Sequence, residues 1–237
     1  MRSTRRPDAG PAVGRERDPG PCGPVTRADP GPGPAGESCP PPAFEPPALR
    51  RWPVHGGGDL HLARDGRLPE VSVRMIFEAG AMAEPPASSG VAELTARVLV
   101  GRGAGRAGRE AAVRLDRLGG HLGIAVRHDA VVLSVHSLSD VVDQTLDLLR
   151  SVVREPAMAR EAVDRTADEL ARELDRSAHD PGAAADHTLL RALYGDHRYG
   201  SPAAGEAEVV RRLERRDVVT HHRRRYAAAS TTAVACG

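Results

Sequence analysis

The apolar positions of this chain change period several times between Leu60 and Gly237, and each change predicts an element. Leu60 to Ala63 and Val71 to Glu78 read as two strands around the turn Asp65-Gly66-Arg67, the second alternating Val71, Val73, Met75 and Phe77 on one face. Together they predict a hairpin. After Glu84-Pro85-Pro86, Ser88 or Ser89 caps a helix carrying Val91, Leu94, Val98 and Leu99 on one side, ended by the glycine-rich stretch Gly101 to Gly108. A second helix runs from about Arg109 to Leu118 and stops at Gly119-Gly120. Leu122 to Val126 and Val131 to Val135, separated by Arg127-His128-Asp129-Ala130, predict another hairpin.

Helical periods dominate from there. Ser139 caps a helix with Val142, Leu146, Leu149 and Val153 on one face, and Pro156 ends it. A long charged helix spans Met158 to about Ala178, and Pro181 opens another that reaches Tyr194-Gly195. Shorter helices, Glu206 to Leu213 and Arg216 to Tyr226, lead into a last strand, Thr231 to Gly237. This order predicts an α+β domain, helices packed on one face of a largely antiparallel sheet. A chain that stops inside or just after a strand also predicts that the intact domain continues, so the sequence reads as truncated at its C-terminus.

Residues 1–48 read differently. They hold 13 of the 20 prolines and show neither period, so they are expected to form a disordered tail ahead of one domain over residues 49–237. The 40% hydrophobic content is mostly Ala, Val and Leu with 3% aromatic, which predicts an aliphatic core. All 33 basic residues are Arg and the net charge is +1, so no summed positive field calls for nucleic acid or an anionic membrane surface. No apolar stretch reaches the roughly 18–20 residues of a membrane span, and no signal core follows the N-terminus. The expected location is the cytoplasm. Cys22, Cys39 and Cys236 form no C-x-x-C pair and predict no disulfide framework.

Several segments follow one another in a recognisable order: Leu68-Pro69 before Val71-Ser72-Val73, Phe77-Glu78-Ala79-Gly80, Glu84-Pro85-Pro86 before Gly90-Val91-Ala92, Leu118-Gly119-Gly120, and Leu193-Tyr194-Gly195-Asp196-His197-Arg198-Tyr199-Gly200. On these, the stretch from Arg50 to Gly237 resembles the N-terminal domain of the insulinase, pitrilysin and mitochondrial processing peptidase family, the inverzincin metallopeptidases. The resemblance implies a helix after Gly90 bearing H-x-x-E-H, two zinc-binding His one turn apart and a Glu as general base. This chain has Glu93-Leu94-Thr95-Ala96-Arg97 there: Glu93 and Arg97 at the His positions, Ala96 at that of the catalytic Glu. The family's third ligand, a later Glu, falls on Glu173, 76 residues after Arg97. No catalytic residue and no metal are therefore expected, with Glu173 as a residual ligand position and zinc as the family's cofactor only.

Glu93 and Arg97 have the i, i+4 order that favours a helix ion pair, and the resemblance sets Glu173 opposite them. One reading stands the Arg97 guanidinium where the family holds zinc; the other leaves Glu93 and Arg97 solvated on a wet helix face. The family also uses the strand after the paired glycines as an edge to which a peptide adds. Here that edge is Leu122, Gly123, Ile124 and Ala125, with Gly123-Ile124 where family members commonly carry Asn-Ala. The ten histidines suggest no replacement metal site, since His221 and His222 are adjacent on a helix and point about 100° apart. Ser88, Ser89 and Ser134 have no visible His and Asp partners, and Gly101 to Gly105 lacks the Lys of a phosphate loop.

The expected function is that of a non-catalytic homologue of an insulinase-type zinc metallopeptidase, a peptide-chamber or partner subunit whose partner is an active family subunit or a missing second domain, with peptides as ligands. The alternatives are a zinc endopeptidase with residual activity through an atypical site containing Glu93, Glu173 and a His, or a truncated product without independent function.

Overall fold

The computed structural model describes residues 46–100, 110 and 113–237. The expectations for the tail of residues 1–48 and for Gly101 to Gly108 fall largely or wholly outside these. Six strands form one sheet: β1 (Leu49–Pro53), β2 (Asp59–Ala63), β3 (Glu70–Phe77), β4 (His121–Val126), β5 (Val131–Leu138) and β6 (Thr231–Cys236). Their order is β1-β2-β6-β3-β5-β4, and every neighbouring pair is antiparallel except β2 with β6. The helices are α1 (Val91–Val100), α2 (Val142–Arg154), α3 (Arg160–Ala178), α4 (Pro181–Tyr194), α5 (Ala207–Val210) and α6 (Arg215–Arg225), with a further helical turn at 113–117. This is an α+β fold, a largely antiparallel sheet with helices against one face. None of the described helices is long and apolar enough to cross a membrane.

Two strand expectations change. β2 and β3 do not form a hairpin, because β6 lies between them, parallel to β2 and antiparallel to β3. The six-residue connection 64–69 is too long to force its flanking strands together, and it steps across the end of β6. There Asp65 N–H donates to the Gly237 carbonyl at 3.1 Å and Gly237 N–H to the Ala63 carbonyl at 3.2 Å. The other edge of β2 is taken by β1, which the apolar pattern did not reveal: Leu-Arg-Arg-Trp-Pro is exposed along its length and ends in a proline, which an edge strand tolerates. The expected alternation of β3 holds, with Val73 and Phe77 buried beside Val131, Leu133 and Val135 of β5. Phe77 and Tyr226 are the aromatic members of an otherwise mostly aliphatic core cluster.

α1 is an interior helix. Seven of its ten residues are buried, and it packs against α3, α6 and β4, so the expected wet face shrinks to a notch at Glu93 and Arg97. Its N-terminus is not capped by Ser88 or Ser89. The buried Glu84 carboxylate accepts from Gly90 N–H at 3.0 Å and Ala92 N–H at 2.7 Å, and Arg198 pairs with it at 3.3 Å. A carboxylate satisfies the orphan donors of a first turn better than a hydroxyl and also meets the positive end of the helix dipole. Ser139 likewise opens a short 3₁₀ turn, Ser139–Val141, without capping α2 through its side chain. Asp180 does cap α4, accepting from Ala183 N–H at 2.8 Å.

Gly90 (φ +92°) and Gly205 (φ +85°) touch back to back: a Cβ on Gly205 would lie 2.4 Å from the Gly90 Cα. Only glycine permits both the dihedral and the approach. The contact pins the start of α1 to the loop before α5.

Two outcomes are expected. Glu84→Ala leaves two buried N–H groups without their acceptor and Arg198 without its carboxylate, and chemical denaturation should show a loss of roughly 2–4 kcal/mol. His221 is 6% exposed and hydrogen-bonded at 3.1 Å to the Ala79 carbonyl; burial holds its pKa at about 4, with Arg225 and His222 adding to the shift. A depressed histidine favours the neutral form, so its contribution is complete above the unfolded value near 6.5 and is lost as pH falls toward about 4, on the order of 3 kcal/mol in all. His222, also lowered by burial, acts in the same direction. Glu84, raised by burial, acts in the opposite one, its contribution being lost as pH rises through its folded value. Comparing wild type with His221→Gln across this range isolates the His221 share, and parallel stability curves would refute it.

Candidate functional site

Glu93 and Arg97 lie one turn apart on α1, and Arg97 Nε donates to Glu93 Oε1 at 2.7 Å. Glu173 reaches the same guanidinium from α3: Nη1 donates to Oε2 at 2.7 Å and Nη2 to Oε1 at 3.1 Å, an end-on bidentate pair. The structure thus brings together all three residues that the resemblance singled out. Their side chains are 18% (Glu93), 31% (Arg97) and 52% (Glu173) exposed, so the cluster grades from a buried to a solvated carboxylate. The hydrogen bonds to Glu173 raise the Arg97 pKa further above its ordinary value, against the effect of burial, and Glu93 adds to the rise. The same bonds hold the Glu173 carboxyl below the usual range. With one fixed cation between two carboxylates, the cluster carries net charge −1.

Ala96, between these residues in sequence, is 1% exposed and belongs to the core cluster. Its methyl can neither accept nor release a proton. Nearby, the buried Tyr226 ring lies tilted against Phe77, centroids 4.7 Å apart, and its hydroxyl is pushed up by burial and, secondarily, by the Glu93 charge.

The strand expected to present an edge does so. β4 pairs with β5 and ends the sheet, leaving the far side of Leu122, Gly123, Ile124 and Ala125 without a strand partner among the described residues. Leu122 and Ile124 lean on the core, and α1, which carries the ion cluster, packs against this strand. A Cβ on Gly123 would meet nothing closer than the His121 ring at 4.0 Å, so this part of the edge is open.

The histidines take separate roles. His121 faces His136 across β4 and β5, His128 reaches the Ser201 carbonyl at 2.9 Å, and His221 and His222 bond to the carbonyls of Ala79 and Val153. His197 forms a turn, its ring accepting from Tyr199 N–H at 3.2 Å. Sequence reasoning missed the Glu84–Arg198 pair and the Tyr199 hydroxyl on Asp129 at 2.7 Å. Partners 114 and 70 residues apart leave no periodic trace; the only available signal was that Glu84, Arg198 and Tyr199 lie in family-like segments.

The family's metal does not fit this donor set. Zinc takes three or four N, S or O ligands, and here a guanidinium, a methyl and two carboxylates occupy the positions, with both carboxylates already engaged by the guanidinium. Among the described residues no three His, Cys, Asp or Glu side chains form a group that could hold a metal ion.

Comparison with known proteins supplies the family. The sequence profile of the insulinase family, peptidase family M16, matches residues 62–207. Uncharacterized zinc proteases of Mycobacterium leprae and Mycobacterium tuberculosis are both 26% identical to this chain, over 144 and 168 residues, or 61% and 71% of it. The chain spans 32% and 38% of those curated relatives, about a third of their length. Among solved structures, a peptidase M16 inactive domain from Pseudomonas fluorescens is 26% identical over 80% of this chain and 46% of its own, with a TM-score of 0.75. A Helicobacter pylori protease shares the fold at a TM-score of 0.75 and 13% identity, over 81% of this chain and 46% of its own. With a profile match over residues 62–207, more than half of the chain, and the same fold, the chain belongs to the insulinase family, peptidase family M16.

Proposed function

We propose that this domain is a non-catalytic member of its family, retained for binding. The observation that carries the reading is the Arg97 guanidinium tied to both Glu93 and Glu173, with Ala96 buried beside it where the family's general base would stand. Hydrolysis of a peptide bond at this position needs an activated water; the donor set does not suit a metal, the two carboxylates are engaged by Arg97, and a methyl stands at the general-base position. The similarity to a Pseudomonas fluorescens domain described as inactive supports the same reading.

The binding role falls to β4. An unpaired edge offers main-chain N–H and C=O groups to an extended peptide, and Gly123 leaves room for its close approach. Without the Asn-Ala pair common in the family, recognition rests on the main chain of β4. The expected setting is a chamber shared with an active family subunit or with a second domain, in which this domain forms wall and strand edge while the partner supplies the chemistry.

Two measurements decide the proposal. Metal analysis of the purified full chain should find substoichiometric zinc, and no peptide cleavage should appear that a chelator abolishes. One zinc per chain, lost together with cleavage on chelation, would refute the non-catalytic reading. For binding, relative to Ile124→Ala, which keeps the main-chain donor that faces the open edge, Ile124→Pro removes that donor and should weaken capture of extended peptides by at least about tenfold. Equal peptide affinity in the two variants would remove β4 from the proposal.

A further inference from the structure

We infer that Arg97 is a tethered replacement for a bound cation, closing the joint between α1 and α3 with a charge carried on the chain itself. The inference rests on the reading that the metal site is lost, and adds what now holds its ligand positions together.

The argument begins with the two carboxylates. Glu93 on α1 and Glu173 on α3 come from different helices and converge on the Arg97 guanidinium, Glu93 being the less exposed of the two. Two converging carboxylates repel, and the penalty grows as water is excluded, so such a joint stays closed only around a cation. A metal ion would serve but must be bound, and its occupancy would follow supply. The guanidinium serves without dissociating. Its planar fork places Nη1 and Nη2 end-on against Glu173 while Nε turns back to Glu93, a division a lysine ammonium cannot reproduce with the same fixed geometry.

The bland alternative is a surface ion pair worth about 0–1 kcal/mol. Two features set the cluster apart from it. The guanidinium bridges two helices that also pack on each other, and its inner carboxylate is only 18% exposed. Its loss should therefore register in the stability of the whole domain and not only in the local mobility of two side chains. The chain departs from the pattern of its family here in a specific way: a carboxylate and a guanidinium stand where that pattern has two histidines, and the converging side chains are held together by the chain's own cation.

The test uses the full chain and thermal melting. Arg97→Ala should lower the midpoint by about 5 °C. Free guanidinium at low millimolar concentration, far below its denaturing range, should restore part of that loss by filling the gap, with an equal concentration of sodium chloride as control. The double variant Arg97→Ala/Glu173→Gln should show no such rescue. Wild type should melt identically with and without a chelator. Three results would each overturn the inference: an unchanged midpoint in Arg97→Ala, equal guanidinium response in the double variant, or a chelator-dependent midpoint in wild type. Should Arg97→Ala fail to fold, Arg97→Lys in a double-mutant cycle with Glu173→Gln replaces it: the substitutions must be coupled, and additivity overturns the inference. A chain that binds no zinc and cleaves nothing, yet melts unchanged as Arg97→Ala, keeps the non-catalytic reading and loses this one.

Discussion

The burial of α1 is the constraint on which the rest of this domain depends. A helix enclosed by α3, α6 and β4 gives water access to few of its groups, so each polar group on it needs a partner from the chain. Thr95 bonds back to the Val91 carbonyl at 2.6 Å, and the N-terminal donors go to Glu84. Glu93 and Arg97 satisfy each other and recruit Glu173. The same enclosure that makes α1 a rigid platform for a site makes any unpaired charge on it costly. A change of residues at 93, 96 and 97 therefore had to be mutually consistent to leave a folded domain.

The framework segments and the site answer to different demands, and this explains how the family remains recognisable while its chemistry is absent at these positions. Glu84, Gly90 and Arg198 fix where α1 begins: the carboxylate takes the first donors, the glycine allows contact with Gly205, and the arginine also donates to the Ala81 and Glu84 carbonyls at 2.8 and 3.0 Å. None of them touches the cluster at Glu93, Arg97 and Glu173 through a hydrogen bond among the described residues. Changing the residues of the site leaves these supports intact, so the backbone that once would have presented ligands continues to present side chains at the same convergence point. Electrostatics then selects what those side chains can be: a cation must accompany two carboxylates, whether bound or built in.

The sheet shows the complementary arrangement. Its middle strands β3 and β5 are held by helices on one face, whereas β1 and β4 end it. β1 is exposed throughout and closes on Pro53, a composition that discourages further pairing on that side. β4 carries no such guard and stands against the helix that bears the ion cluster. The two edges are thus physically unequal, and only one of them adjoins the site.

Much of this was legible in the sequence. The periods of β3, β5, α2 and α3 come from local alternation of apolar residues, and the i, i+4 spacing of Glu93 and Arg97 is a property of any helix. Family-like segments also pointed to Glu173. What the tertiary structure alone decided was non-local: β6 inserted between β2 and β3, Glu84, braced by Arg198 from 114 residues away, displacing the serines as the cap of α1, and α1 enclosed where a one-sided helix was expected. The physical reason is common to all three. Hydrogen-bond donors and apolar faces announce that they need partners, but a partner from a distant part of the sequence is chosen by packing of the whole chain, which no local period encodes.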